Sequence, residues 1–297
     1  MTNENLTVAE RLKNQFDNLT RAERQLASCI LENYPASGLG TITTLGKRAD
    51  VSTPTVARMV QKLDFSGFPD FQAALRLEIE AKISDPITKR ETWADKAPTG
   101  HILNRFTDAV ISNISQSLGQ LDTETFDQTC ALIADTKRRV FVVGGRITRA
   151  LADYMFLHLQ VIRSDVTHIQ SISNAWPHYL LDVNENDVVI IFDIRRYETS
   201  TLKLAEIAAE KGAKIILFTD QWGSPVCKFA TYSFSNQIAV PSAWDSAVTN
   251  LLLLEIMIAE IQERIWPNTR TRIENLEDMF DRSRFFRKFT LIPNQRP

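Results

Sequence analysis

The chain has 297 residues, which is long enough for two domains with separate hydrophobic cores. Apolar residues make up 44% and charged residues 24%, and the net charge of −2 excludes a global positive field that would attract nucleic acid or a membrane surface. The three cysteines form no CxxC pair, so we predict a reducing compartment and neither a metal nor a cofactor.

The chain begins MTNENLTVAE, which lacks the basic and apolar regions of a signal peptide, so we expect a cytoplasmic protein without a membrane partner. Residues 1–82 then show only helical periodicity, which predicts an all-α domain. Thr20 is placed to cap the second helix, and Pro35 and Gly38 end it. The predicted helices are 9–16, 22–33, 42–49, one that starts at Ser52, and 71–82.

The stretch TITTLGKRADVSTPTVARMVQKLDFSGF, residues 41–68, is the most specific part of this domain. A helix ends near Ala49, a short turn follows, and Ser52 can cap the next helix, with Pro54 in its first turn. This order is typical of a helix-turn-helix, whose second helix lies in the major groove of DNA. The side chains expected in the core are Val56, Val60 and Leu63, and those expected to point outward are Thr53, Thr55, Arg58, Met59 and Lys62.

Local charge agrees with this interpretation. Residues 41–63 carry four basic side chains and one acidic side chain, 4 − 1 = +3, within a nearly neutral chain. Such a patch can contact phosphates while hydroxyls and an arginine reach base edges. The alternative is a helical bundle with a solvated basic face, or a protein-interaction module. The residues predicted to contact DNA are Lys47, Arg48, Ser52, Thr53, Thr55, Arg58 and Lys62.

Residues 1–82 resemble the N-terminal domain of RpiR-type transcriptional regulators. The stretches that carry the resemblance are LTRAERQLASCILENY and ADVSTPTVARMVQKLDFSGFPDFQ. The resemblance implies double-stranded operator DNA as a partner. It also implies a homodimer or homotetramer, because such regulators place two recognition helices on a pair of half-sites.

Residues 83–100 combine two prolines, mixed charge and little periodicity, which indicates a linker, although Trp93 suggests that part of it packs against a domain. In residues 101–266, helices alternate with short apolar strands, which predicts an α/β three-layer domain with a mainly parallel five-stranded sheet. Residues 267–297 are expected to form a helical tail. The predicted strands are 139–143, 166–169, 188–192, 214–218 and 231–234, and the predicted helices are 102–118, 124–135, 148–162, 200–211 and 243–265.

Two strand-to-helix turns carry the candidate ligand-binding residues. The first, VVGGRITRALAD at 142–153, has glycines that let a ligand approach the start of a helix, but GGRIT does not match the dinucleotide pattern GxGxxG. The second, FDIRRYETS at 192–200, places two adjacent arginines after a buried strand. Ligands of open α/β sheets bind at the carboxyl ends of strands, so both turns are expected at one site.

Residues 104–265 resemble the SIS (sugar isomerase) domain that follows the DNA-binding domain in RpiR regulators. The family pattern GxGxS reads Gly144, Gly145, Arg146, Ile147 and Thr148 here, and the pattern SxSG reads Asp193, Ile194, Arg195 and Arg196. The serines that bind phosphate in the family pattern are therefore absent, and arginines stand at positions 146, 195 and 196.

Guanidinium groups bind phosphate or carboxylate bidentately, so we predict that the pocket still binds a small anionic metabolite, a sugar phosphate or a sugar acid. In the alternative, the two arginines of the second turn pair with Asp193, Glu198 or Asp245 and fill a vacated pocket. Capping is expected for Ser242 or Asp245, and a structural role for His168 and His178. The predicted ligand-binding residues are Gly144, Gly145, Arg146, Thr148, Arg195, Arg196, Tyr197, Thr199 and Ser246.

The sequence thus predicts a DNA-binding transcriptional regulator whose SIS-like domain dimerises and senses an anion, with no catalytic residues. One alternative is a SIS-fold sugar-phosphate isomerase, but no His–Glu constellation supplies the base that isomerisation needs. The other alternative is a constitutive regulator whose SIS-like domain is purely structural.

Overall fold

The computed structural model describes residues 6–32, 34–95, 100–170 and 175–286. The N-terminal part of the chain is a helical bundle, as its periodicity predicted. Thr7 and Thr20 begin the first two helices with capping boxes, which satisfy backbone N–H groups at both starts. The helices are α1 (Val8–Asn14), α2 (Arg21–Leu31), α3 (Ile42–Arg48), α4 (Thr53–Lys62) and α5 (Phe68–Ile83). They share one core, which includes Leu12, Leu26, Leu45, Val60 and Phe71.

Helices α3 and α4 form the expected helix-turn-helix around the turn 49–52. Asp50 takes the left-handed conformation in this turn (φ 52°), and the hydroxyl of Ser52 accepts the N–H of Thr55 at the start of α4. Met59 was predicted to point outward, and that prediction was wrong because its side chain is fully buried. Position 59 lies three residues after Val56, on the same face of the helix, so the core includes it.

The segment predicted as a linker contains a helix, α6 (Pro86–Asp95), and contacts the C-terminal part of the chain. At the end of α5, the ammonium of Lys82 donates to the carbonyl oxygens of Trp222 (3.3 Å) and Gly223 (2.9 Å). The side chain of Trp93 lies outside the part that the structure describes. The segment between the helical bundle and the C-terminal part is therefore held by contacts with the C-terminal part as well as by the hydrogen bonds of α6.

The C-terminal part has the predicted α/β architecture. Within the described ranges its five strands form one sheet in the order β2-β1-β3-β4-β5, and every neighbouring pair is parallel. The strands are β1 (Val140–Gly144), β2 (Val166–His168), β3 (Val188–Phe192), β4 (Lys214–Asp220) and β5 (Tyr232–Asn236). The helices are α7 (Ile102–Gly119), α8 (Thr123–Ala134), α9 (Arg149–Ile162), α10 (Trp176–Leu180), α11 (Thr199–Glu210), α12 (Val248–Arg264) and α13 (Trp266–Ser283).

Both faces of the sheet are covered, which makes three layers. Alternate residues of β3 serve the two cores: Ile190 packs with α8, α9 and α12, whereas Ile191 packs with α11. Helix α12 begins at Val248 rather than near 243, so residues 243–247 remain outside the helix at the carboxyl edge of the sheet. Of the predicted tail, residues 287–297 lie outside the described part. No helix in the described ranges combines the length and apolarity needed to cross a membrane.

Candidate ligand pocket and nucleic-acid interface

A cavity of about 390 Å³ lies beyond the carboxyl ends of β1 and β3. The strand order reverses between these two strands, because β2 follows β1 on one side and β3 lies on the other. Ligands of open parallel sheets bind at such a switch point. The walls come from both predicted turns, from residues 243–247 and from the start of α6, so the connection to the helical domain closes one side of the cavity.

The first turn is held by close backbone packing and by Thr148. A Cβ atom at position 144 would lie 2.6 Å from the backbone of Thr148, so glycine is required there. The hydroxyl of Thr148 accepts the N–H of Gly145 (2.8 Å) and donates to the carbonyl oxygen of Phe192 (2.7 Å). Gly145 and Thr148 line the cavity and Gly144 does not, and the hydroxyl of Thr148 is already used in joining the two turns.

In the alternative interpretation Glu198 was one of three carboxylates expected to pair with the arginines of the second turn, but it reaches instead from the start of α11 to the first turn. Its Oε1 accepts the backbone N–H of Arg146 at 2.7 Å. Its Oε2 accepts the hydroxyl of Ser200 at 3.4 Å. Its signal in the sequence was its place as a carboxylate shortly after the two arginines.

Arg195 makes the internal contacts that the alternative interpretation expected. Its Nε and one terminal nitrogen donate to the two carboxylate oxygens of Asp245, at 3.1 and 2.6 Å. The other terminal nitrogen donates to the carbonyl oxygen of Ala81 in α5, and the guanidinium carbon lies 4.4 Å from the ring centre of Trp222. The Arg195 side chain is only 5% exposed. Since its donors are taken up by the protein, Arg195 holds the pocket wall together.

Asp245 was expected to cap the last helix, but α12 has no side-chain cap and Asp245 forms ion pairs instead. Besides Arg195, it accepts the ammonium of Lys89 at 2.5 Å. Burial lowers the pKa of Lys89, while Asp245 acts to raise it. The carboxylate therefore joins α6 to the turn after β3. Sequence reasoning missed Lys89 because the segment that carries it gave no periodic signal.

Arg146 and Arg196 differ from Arg195. Both line the cavity, and both are exposed. Neither guanidinium makes a hydrogen bond or an ion pair with any residue that the structure describes. The adjacent arginines of the second turn are therefore separated by the fold, with Arg195 inside the protein network and Arg196 at the mouth of the pocket.

Of the remaining predicted ligand residues, one lines the pocket and two do not. Ser246 lines the pocket, and its hydroxyl accepts the N–H of Val248 at 3.3 Å. Tyr197 and Thr199 do not line it. The hydroxyl of Tyr197 donates to Asp220 at 2.7 Å, and burial together with that carboxylate raises the pKa of Tyr197. Thr199 is exposed at the start of α11, because the helix turns it away from the cavity.

Asp193 forms a buried acidic group at the floor of the pocket, with 2% of its surface exposed. It accepts the hydroxyl of Ser224 and the backbone N–H of Glu198, the latter at 3.3 Å. Burial raises the pKa of Asp193 to about 7, although the hydroxyl of Ser224 acts in the opposite direction. The pocket thus combines buried acidic and basic groups inside with the exposed arginines Arg146 and Arg196 at its mouth.

The two histidines considered from the sequence lie outside this pocket. His168 ends β2, and its Nδ1 lies 3.1 Å from a carboxylate oxygen of Asp153. Burial lowers the pKa of His168. His178 is exposed on α10. Neither histidine is therefore placed to contact a ligand in this pocket.

The outer face of α4 is the candidate nucleic-acid interface. Thr53 and Arg58 are exposed there, Ser52 is an exposed cap, and Lys47 is exposed near the end of α3. Thr55 was expected to point outward, but it is 8% exposed because its hydroxyl contacts Ser52 (2.9 Å) and accepts the guanidinium of Arg58 (3.2 Å). Thr55 is therefore placed to orient Arg58 and is not free to reach a base.

Two of the predicted DNA-contacting residues are held by the protein itself. The guanidinium of Arg48 donates to the carbonyl oxygen of Ser37. The ammonium of Lys62 donates to buried Glu23 at 2.7 Å, with 40% of the Lys62 side chain exposed. These contacts connect α3 and α4 to the rest of the bundle, and they fix the orientation of the outer face.

Comparison with known families identifies both domains. Residues 6–82 match the model of the helix-turn-helix domain of the rpiR family, and residues 132–260 match that of the SIS domain. The chain belongs to the RpiR family of transcriptional regulators. A curated relative, the HTH-type transcriptional regulator HexR of Escherichia coli K12, is 22% identical over 301 residues, covering 98% of this chain and 100% of that one.

Two solved structures show the same fold as this chain. The sugar isomerase domain of an RpiR transcription factor from Sphaerobacter thermophilus covers 59% of this chain and 97% of its own, with a TM-score of 0.56 and 22% identity. The Vibrio vulnificus NanR protein complexed with ManNAc-6P covers 92% of this chain and 98% of its own, with a TM-score of 0.52 and 16% identity.

Proposed function

We propose that this RpiR-family regulator acts in the cytoplasm, reads operator DNA through α4, and senses a sugar phosphate or sugar acid in the pocket beside β1 and β3. The observation that carries the sensing role is that the guanidinium groups of Arg146 and Arg196 lie at the mouth of a cavity of about 390 Å³ without a hydrogen bond or ion pair to any residue that the structure describes. A homodimer or homotetramer is part of the proposal, because paired recognition helices match paired half-sites.

The nature of the pocket supports a sugar derivative. Ile147 and Trp244 line the cavity with 58% and 55% of their surfaces exposed, and they offer apolar surface to the C–H face of a sugar ring. Asp193 and Glu198 can accept hydroxyl groups, and the free arginines can hold an anion. NanR, which shares the fold, has been solved with ManNAc-6P, a sugar phosphate.

The pocket wall offers a physical connection to the DNA-binding domain. Arg195 donates to the carbonyl oxygen of Ala81 in the last turn of α5, and α5 contributes Phe71 and Leu75 to the core behind α4. Lys89 of α6 completes the same network through Asp245. A ligand regulates DNA binding only if it has different affinities for the DNA-competent and incompetent forms, typically by 1–3 kcal/mol. This network is where that difference would arise.

A sugar-phosphate isomerase is the second candidate, and the site supports it less well. Isomerisation requires a base within reach of the reacting carbon. Oε1 of Glu198 is already bound to the N–H of Arg146, and Asp193 is bound to the hydroxyl of Ser224. Curated relatives are named as transcriptional regulators, which also supports a role other than catalysis.

DNA binding is tested by fluorescence anisotropy on the DNA upstream of the protein's own gene. Arg58→Ala should weaken specific binding by about 1–3 kcal/mol, roughly five-fold to 150-fold, since Arg58 is the exposed arginine of α4. The matched control is Arg76→Ala, an exposed arginine on α5. Equal specific affinity of wild type and Arg58→Ala would show that α4 does not read the operator. Repeating the titration with saturating sugar phosphates and sugar acids tests regulation, and unchanged affinity would exclude those ligands as effectors.

A further inference from the structure

The first turn of the pocket already holds an anion, and that anion is a side chain of the same chain. Oε1 of Glu198 accepts the N–H of Arg146 at 2.7 Å, across 52 residues of sequence. Arg146 lies just before α9, a helix of 14 residues, where the positive end of the helix dipole favours negative charge. A hydrogen bond from an N–H group to a carboxylate is about twice as strong as one between neutral groups.

The backbone around Glu198 is shaped to accept its carboxylate. A Cβ atom at Gly145 would lie 2.7 Å from Oε1 and 3.0 Å from Cδ of Glu198, so any side chain there would collide with the carboxylate. The hydroxyl of Thr148 takes the N–H of Gly145, which leaves the N–H of Arg146 for Glu198. Gly145 thus leaves space for the carboxylate of Glu198, and Thr148 leaves the N–H of Arg146 available to it.

At the second turn, too, a carboxylate of the chain itself binds the positive groups. Asp245 accepts two hydrogen bonds from Arg195 and one from Lys89. The positive groups in the interior of the pocket therefore bind carboxylates of the chain. Among the lining residues that the structure describes, the guanidinium groups of Arg146 and Arg196 form no hydrogen bond or ion pair, although the charge of Arg196 adds to the effect of the Thr88 N–H in lowering the pKa of Asp85.

We propose that Glu198 is a built-in occupant of the anion site at the first turn. An external ligand therefore places its anionic group at Arg146 and Arg196 and its hydroxyl or amino groups against Glu198. The inference rests on the proposed sensing role of the pocket and narrows the ligand class. The ligand combines an anion with several hydrogen-bond donors, as a sugar acid or a sugar phosphate does, whereas inorganic phosphate alone gains nothing from the occupied turn.

The test is calorimetric titration of inorganic phosphate into the full chain. Glu198→Ala removes the occupant, so phosphate should bind at least ten times more tightly than to wild type. Glu198→Ser removes it too and places a favourable capping residue at the start of α11, where residue 198 is the N-cap. Glu198→Gln should stay close to wild type, because its amide oxygen can still accept the N–H of Arg146. Glu210→Ala, an exposed carboxylate at the other end of α11, is the matched control.

Circular dichroism and the melting temperature without phosphate establish that each variant is folded. If the folded Ala and Ser variants bind phosphate no better than wild type, the turn is not an anion site and the inference is overturned. An equal gain in Glu198→Gln and Glu198→Ala also overturns it, since the lost charge alone would then account for the effect. The gain requires neither operator nor metabolite. A wild type that responds to no metabolite would contradict the proposed function and leave this result unchanged.

Discussion

Replacing Asp245 with asparagine should destabilise the protein, because this one carboxylate neutralises two largely buried cations. The side chains of Arg195 and Lys89 are 5% and 9% exposed, and that of Asp245 is 17% exposed. Removing one partner of a fully buried pair costs about 3–5 kcal/mol. Since Asp245 retains some contact with water, we expect the free energy of unfolding to fall by about 2–3 kcal/mol.

Urea unfolding followed by tryptophan fluorescence measures this loss, and Trp222, which lies against Arg195, is a local reporter. Asp108→Asn, an exposed carboxylate on α7, is the matched control and should change little. Lys89→Met keeps the apolar stem and removes the ammonium. In the double variant Lys89→Met/Asp245→Asn, the combined loss should be at least about 1 kcal/mol smaller than the sum of the single losses. Additive losses, agreeing within about 0.5 kcal/mol, would refute the reasoning that Asp245 and Lys89 depend on each other.

Two further predictions concern the pocket. Arg196→Ala should leave the melting temperature without ligand unchanged but abolish the stabilisation by a bound sugar anion, which is about 2.7 kcal/mol at 100 times the dissociation constant. Arg195→Ala, by contrast, should lower the melting temperature even without ligand, and equal behaviour of the two variants would contradict their separation. Burial raises the pKa of Asp193 to about 7, so its contribution to stability is complete below its unfolded pKa of 3.8 and is lost as the pH rises through about 7. Asp193→Asn should therefore reduce the fall in melting temperature between pH 5 and 8, and an unchanged pH profile would show that Asp193 does not titrate there.

The sheet could be predicted from the sequence because parallel strands covered on both faces are continuous apolar runs. VVIIF at β3 is such a run, and it is buried throughout. The helix-turn-helix was also predictable, since Ser52 and Pro54 mark the start of α4. Within α4, however, the sequence did not assign Met59 to the core or Thr55 to a buried hydroxyl pair. A methionine and a threonine suit either face of a helix, so only packing decides where they lie.

The start of α12 and the role of α6 were harder to predict, for a different reason. The segment 243–247 and helix α6 are positioned by contacts with each other. The ion pair of Lys89 with Asp245 is one such contact, and it joins residues 156 positions apart in the sequence. Periodicity describes local burial, and it contains no information about a partner so distant. Hence PSAWDSAV was interpreted as the beginning of a helix, although its aspartate belongs to the pocket wall.

The two arginines after β3 show why the pocket chemistry needed the fold. From sequence they are equivalent: both follow the same strand, both replace small residues of the family pattern, and both could bind an anion or pair with an acid. In the structure, Arg195 is directed to Asp245 and to the end of α5, whereas the guanidinium of Arg196 lines the cavity and forms no hydrogen bond or ion pair with the described residues. The pairing interpretation thus describes Arg195, whereas anion binding remains a proposal for Arg196. An anion bound at Arg196 would lie one residue away from the contact of Arg195 with α5, a helix of the DNA-binding domain. Ligand binding could therefore alter this contact directly.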